Sequence, residues 1–198
     1  MRDPQNQIMK TKKHSLTLFP TILILASLAC SIFVGGPDYP EQTVPVSENE
    51  VINMRTLIEQ AFLAGAESGV VTLQFTESQL TSYIALKMQE KANPPFTEPQ
   101  ILLRDGQMQM YGKTASGMFS ANILITMNVS IDETSGLPKI EIASADFGPI
   151  PAPEGINNAI SAIIDEAFTG SLGPVAIGFR LESITIADGL MTMTGRIK

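Results

Sequence analysis

One run constrains the fold more than any other: MFSANILITMNVSI, Met118 to Ile131. From Phe119 every second residue is apolar, through Ala121, Ile123, Ile125, Met127, Val129 and Ile131. Ser120, Asn122, Thr126, Asn128 and Ser130 take the other face, with Leu124 the exception. A period of two is that of a strand with one face buried. At ~3.3 Å per residue the run covers about 46 Å, against a usual strand of about 5–6 residues. A compact domain cannot hold such a strand flat. It must curve around a core or span an elongated body.

A second feature is a repeat. ILLRDGQMQMYGK (Ile101 to Lys113) and ITIADGLMTMTGR (Ile184 to Arg196) share Ile, Asp, Gly, Met, Met and Gly, and both end on a basic residue. Asp-Gly between β-type residues is a hairpin signal. Each copy therefore reads as two strands around a tight turn, with Met108/Met110 and Met191/Met193 on one face of the outgoing strand. VAIGFRLESITIA precedes the second turn. Its apolar face runs Ile177, Phe179, Leu181 and then switches to Ile184, Ile186, which predicts a bulge near Ser183. Two similar hairpins in a pseudo-symmetric sheet, or convergent hairpin chemistry, would each account for the repeat.

Helices frame these strands. SENE opens one over about 48–66, with Ser47 as cap and Glu50 reaching back. Val51, Met54, Ile58, Ala61, Phe62 and Gly65 form its stripe. GVVTLQF is a short strand. TESQ is a second capping box, Thr76 with Gln79, ahead of the stripe Leu80, Tyr83, Ile84, Lys87, Met88, and ANPPF ends that helix. KIEIASADFGPIPAP returns as a strand. EGINNAISAIIDEAF is a helix carrying Ile156, Ile160, Ile163, Ile164 and Phe168.

Ahead of all this lies LTLFPTILILASLACSIFVGG, Leu16 to Gly36, without a charge. As a helix it would span ~31 Å, the thickness of a hydrocarbon core. Lysines precede it and acids follow, so the positive-inside rule puts residues 1–15 in the cytoplasm and the remainder outside. The expected organisation is a cytoplasmic tail (1–15), a single-pass anchor (16–36), a proline-bearing stalk (37–47) and an extracytoplasmic domain (48–198). A lipoprotein signal ending at Cys30 and a removed signal peptide are the alternatives.

Composition narrows the chemistry. A net charge of −7 argues against nucleic acid. The only histidine is His14 and the only cysteine is Cys30, so residues 37–198 lack both. That removes nucleophilic triads, thiol chemistry and histidine-rich zinc sites there. Asp105 and Asp188 are explained by their turns, and Asp165 with Glu166 by a solvated helix face. No enzyme, no cofactor and no metal site is expected.

FTESQLTSYIALKMQ, then GPIPAPEGINNAI, then SITIADGLMTMTGR resemble, in that order, bacterial membrane-anchored proteins of the tubular-lipid-binding-like group. The resemblance covers about residues 75–198. It implies a long, strongly curved antiparallel sheet wrapped on an amphipathic helix, with an apolar interior able to take acyl chains. The expected class is thus α+β, preceded by an N-terminal transmembrane helix.

Three functions are open. The first is a membrane-tethered, non-catalytic domain that binds or shuttles lipid or another apolar ligand. From alternation alone its lining would be Leu80, Ile84, Met88, Met108, Met110, Phe119, Ile123, Ile125, Met127, Ile160, Ile164, Phe179, Met191 and Met193. Moving a 16-carbon chain from water gains ~12 kcal/mol at ~0.8 per CH₂. From a bilayer the net gain is near zero, which suits a shuttle or sensor. The second is a scaffold for another envelope protein, using a sheet edge or the polar face Asn122/Thr126/Asn128. The third is Cu(I) binding by Met108, Met110, Met191 and Met193, since thioethers suit that ion.

Overall fold

The computed structural model describes residues 31–152, 155, 156, 158, 160, 162, 163 and 179–197. The chain divides into two compact units, Met1–Ile32 and Phe33–Lys198. The second unit is α+β. The elements are β1 (Ile32–Phe33, at the junction), α1 (Glu48–Ser68), β2 (Val70–Thr76), α2 (Glu77–Gln89), β3 (Thr97–Arg104), β4 (Gln107–Ser116), β5 (Phe119–Ile131), β6 (Pro138–Asp146), β7 (Phe179–Ala187) and β8 (Leu190–Ile197). Positions 156, 158, 160, 162 and 163 are also helical.

Two curled antiparallel sheets result. In one, β3, β4 and β5 are neighbours in that order and β6 pairs with the far edge of β5. In the other, β8 lies between β2 and β7. Bulges interrupt the ladders between Thr97 and Gln100, between Thr126 and Met127, and between Leu181 and Ser183. The last is the bulge that the switch of apolar face at Ser183 predicts. Each bulge adds local twist, which lets long strands curl.

The long alternating run forms β5 over 13 residues, and Ala121, Ile123, Ile125 and Met127 are almost fully buried. Phe119 departs from the expected lining. It shares the inward phase but is 44% exposed, because it is the first residue after the Gly117–Met118 turn, where the sheet ends.

The repeat is structural. Asp105 and Asp188 have φ of 53° and 52°, and Gly106 and Gly189 of 75° and 74°, so both turns use the left-handed region that Asp-Gly favours. Ile101 pairs with Met110 and Leu103 with Met108; Ile184 pairs with Met193 and Ile186 with Met191. A third strand lies on the same side of each hairpin. Met108, Met110 and Gly112 face Met127, Ile125 and Ile123, while Met191, Met193 and Gly195 face Phe75, Leu73 and Val71. The correspondence extends beyond the shared motif. A Cβ at Gly112 would come 3.0 Å from the Phe96 ring, and one at Gly195 would come 2.7 Å from the Phe179 ring. Both repeats thus lay a phenylalanine against a glycine of the neighbouring strand. The two repeats are the hairpins with their added strands, β3–β4–β5 and β7–β8–β2.

The helices close the core. α1 buries Val51, Met54, Ile58 and Gly65, one stripe, while Ile52, Leu57 and Leu63 stay exposed. It is laid against the strands along one face rather than enclosed by them. Thr76 caps α2 with both bonds of a capping box: Gln79 N to Thr76 Oγ1 (3.2 Å) and Thr76 N to Gln79 Oε1 (3.0 Å). The box expected at Ser47 is not formed. Ser47 makes no side-chain cap bond, and its backbone N–H donates to Ser82 Oγ on α2 (3.1 Å). One apolar cluster joins α1, α2 and the inward residues of both sheets.

The stretch expected as the end of the anchor and a stalk is folded onto the domain. Val34 N donates to Ser120 O (2.9 Å) and Asn122 N to Gly35 O (3.0 Å), so residues 34–35 extend the sheet beside β5. The chain then crosses the outer face of β5, β4 and β3. Asn122 Nδ2 donates to Pro37 O (3.0 Å), Tyr39 stacks edge-on against Tyr111 with Lys113 over its ring, and Tyr39 Oη donates to Glu98 O (2.5 Å). The Gln100 side chain brackets the Val44 backbone, accepting from its N–H (2.6 Å) and donating to its C=O (3.1 Å). No helix among the described residues is long and apolar enough to cross a membrane. Leu16–Cys30 lies outside the described residues.

This strap has a pH signature. Burial, then the nearby Glu98 charge, pushes the Tyr39 hydroxyl up to about 12 from an ordinary value of 10.0. The neutral phenol is the form that donates to Glu98. The stability it supplies is full below pH ~10, the unfolded value, and is lost as pH rises through the folded value. Tyr39→Phe is expected to melt below wild type at pH 8, with the gap closing between pH 10 and 12. Thermal melts across that range check this, and a gap independent of pH would refute it.

Candidate functional site

Most of the lining expected from alternation comes together, but as packed core. Met88, Met108, Met110, Ile123, Ile125, Met127, Ile160, Met191 and Met193 are each at most 5% exposed and belong to one cluster. Leu80, Ile84 and Phe179 pack against it half-buried. Phe119 stands outside at the strand end, and Ile164 lies outside the described residues. The four methionines of the repeat have apolar partners across the ladders, Ile101, Leu103, Ile184 and Ile186 on one side and Met127, Ile125, Phe75 and Leu73 on the other. Adaptable thioethers between such neighbours fill core volume.

An open apolar groove lies elsewhere, between α1 and β2. It measures about 470 Å³ and is lined by Leu57, Ile58, Gln60 and Ala61 of the helix and Thr72, Leu73, Gln74 and Phe75 of the strand. The volume is within the ~300–1,000 Å³ usual for small-molecule sites. Its local cause is the tight return from helix to strand. Gly69 ends α1 at φ 73° and its N–H bonds Gly65 O (2.7 Å), while a Cβ at Gly65 would meet the Val71 side chain at 2.4 Å. Helix and strand therefore touch at Gly65 and open toward Leu57. Among the described residues β2 pairs only with β8, so its outer edge faces this groove region unpaired. Gln60, Thr72 and Gln74 are exposed and supply a polar rim.

A second cleft, of about 450 Å³, is polar. Glu77, Leu103, Arg104, Asp105, Asp188 and Gly189 line it, so both Asp-Gly turns meet at one place. Glu77 sits in the first turn of α2. Its Oε1 accepts from Leu103 N (2.7 Å) and from the Arg104 guanidinium. A Cβ at Gly189 would lie 3.6 Å from the Glu77 carboxyl carbon, which places the second turn against this pair. The arrangement fastens α2 and both hairpin ends together. No cluster of three or more His, Cys, Asp or Glu able to hold a metal occurs among the described residues.

Sequence reasoning misses the groove. Leu57 lies off the main stripe of α1, on the flank that also carries Gln60. A large apolar residue on that flank is the signal that could have pointed to it. No family model and no curated protein sequence matches the chain.

Proposed function

We propose that this chain is a membrane-tethered, extracytoplasmic, non-catalytic domain that binds or shuttles a lipid or another apolar ligand. The observation that carries the reading is the α1–β2 groove, apolar at its floor, polar at its rim and open to solvent. An acyl chain would lie along Leu57, Ile58, Ala61, Leu73 and Phe75 with its head toward Gln60, Thr72 and Gln74. Because such a chain leaves a bilayer to enter, its net gain is small, and exchange rather than storage is the expected behaviour. The uncharged run at the N-terminus supplies the tether. The tubular-lipid-binding-like resemblance favours the same reading. It brings a ligand class but no residue role.

Ala61→Phe tests it, because Ala61 is half-buried in the groove wall and a ring there fills the space. Full-length wild type and variant would be purified side by side, and co-purified lipid quantified by mass spectrometry after solvent extraction. Keeping two methylenes out costs ~1.6 kcal/mol at ~0.8 each, a loss of affinity of about tenfold. Wild type should therefore carry more of a lipid species than the variant does. Equal amounts on both would overturn the groove as the site.

A scaffold role is the second reading, and the edge of β2 that has no strand partner among the described residues favours it. An edge strand can receive a partner's strand by main-chain bonding.

A further inference from the structure

We propose that the β4–β5 hairpin tip, with Met118 and Phe119 at its apex and Phe33 beside it, dips into the interfacial layer of the lipid bilayer. Met118 is 58% exposed, Phe119 44% and Phe33 59%. These three large apolar side chains project where one strand pair ends, and the chain carries no charge from Thr114 to Ile131. Large exposed apolar residues gathered at one tip mark an interaction surface.

The place where the chain enters the domain identifies the occupant. Val34 N bonds Ser120 O at 2.9 Å, so Phe33 cannot move away from the tip without breaking the sheet. The uncharged run that precedes it, Leu16–Ser31, is 16 residues long. It ends immediately before β1. A chain tethered by that run therefore brings Ile32 and Phe33 to the membrane interface, and the tip arrives with them. The strap over β5, β4 and β3 removes the slack that a free stalk would have given. The expected depth is that of an interfacial apolar face, ~5–10 Å.

This inference rests on the membrane half of the proposed function and is independent of the groove. The chain has no tryptophan, so Met118→Trp and Phe119→Trp each give a single reporter at an exposed position. Leu137→Trp, exposed in the turn at the other end of β5, is the control. Full-length variants would be reconstituted into phosphatidylethanolamine/phosphatidylglycerol vesicles with brominated acyl chains. Both tip reporters should emit at shorter wavelength than the control and lose most of their emission to bromine, while the control keeps its own. Tip emission matching the control in chains that float with the vesicles would overturn the tip and leave the tether standing. Chains that do not float would overturn the tether and the tip together.

Discussion

Gly195→Ala is expected to cost about 3 kcal/mol or more, the upper end of the usual overpacking range. For a chain of this size that is a fall in melting temperature of about 6–12 °C. An ideal Cβ at Gly195 falls 2.4 Å from the Arg180 carbonyl oxygen and 2.7 Å from two Phe179 ring carbons. The ring could turn away, but the carbonyl belongs to the backbone of the paired strand and cannot yield without opening the β7–β8 ladder. Phe179→Leu in the same chain should therefore restore only part of the loss. Gly112→Ala, at the equivalent place in the first hairpin, meets the Phe96 ring at 3.0 Å and Thr97 O at 3.2 Å. A few tenths of an ångström relieve those contacts, so its cost should be about 1 kcal/mol, the lower end of the same range. Urea or thermal melts of the two variants check the pair. A Gly195→Ala chain as stable as wild type would mean that β7 and β8 do not pair in this register.

The asymmetry between these two glycines shows what local sequence carries and what it leaves out. Asp-Gly flanked by alternating residues determines a turn, and the turn determines register, so Ile101–Met110 and Ile184–Met193 are legible as hairpin pairs. The switch of apolar face between Leu181 and Ile184 likewise announces the bulge, and Thr76-x-x-Gln79 announces the cap. Each of these is decided within about ten residues. The pairing of β2 with β8 joins residues more than a hundred positions apart, and no local pattern announces it. Ser47 illustrates the opposite failure. Its local pattern is a good capping box, but the contact with Ser82 of α2 takes its backbone N–H, and the side-chain cap is absent.

The candidate site is less legible than the fold for a related reason. Alternation tells which residues face inward, and Ile123, Ile125, Met127, Met108 and Met110 do. It does not tell whether the space they face holds a ligand or the other sheet. The answer depends on the distance between layers, which the helices and the second hairpin set together. The α1–β2 groove depends on such a distance too. It widens because Gly65 lets helix and strand touch at one end only. The strap has the sequence of a stalk, since three of residues 37–45 are prolines and nothing in that stretch alternates. What fixes it is a set of partners on the sheet, Asn122, Glu98 with Tyr39, and Gln100, that sequence spacing does not connect to it.

Thr81→Val should destabilise the domain by ~1–3 kcal/mol, the cost of leaving a buried donor without a partner. Among the described residues β3 ends its sheet, and an edge strand presents every second N–H outward. Two of those are answered by α2. Ile101 N donates to Thr81 Oγ1 at 2.9 Å, and Leu103 N donates to Glu77 Oε1 at 2.7 Å. Both Thr81 and Ile101 are fully buried, so water cannot take over when the hydroxyl is removed. Valine keeps the shape and deletes only the acceptor, whereas Thr81→Ser keeps the acceptor and loses a methyl group. Valine should therefore be the worse of the two, the reverse of what a purely apolar site would give. Hydrogen exchange at the Ile101 amide locates the effect, and faster exchange there in the valine variant is expected. Glu77→Gln retains an acceptor for Leu103 N and removes the ion pair with Arg104, which is nearly half exposed. Its cost should be smaller, ~0–1 kcal/mol. The two α2 side chains hold neighbouring donors of one strand, so the double variant should lose a different amount from the sum of the singles. If Thr81→Val and Thr81→Ser proved equal in stability and in exchange at Ile101, α2 would be covering the edge by apolar contact alone.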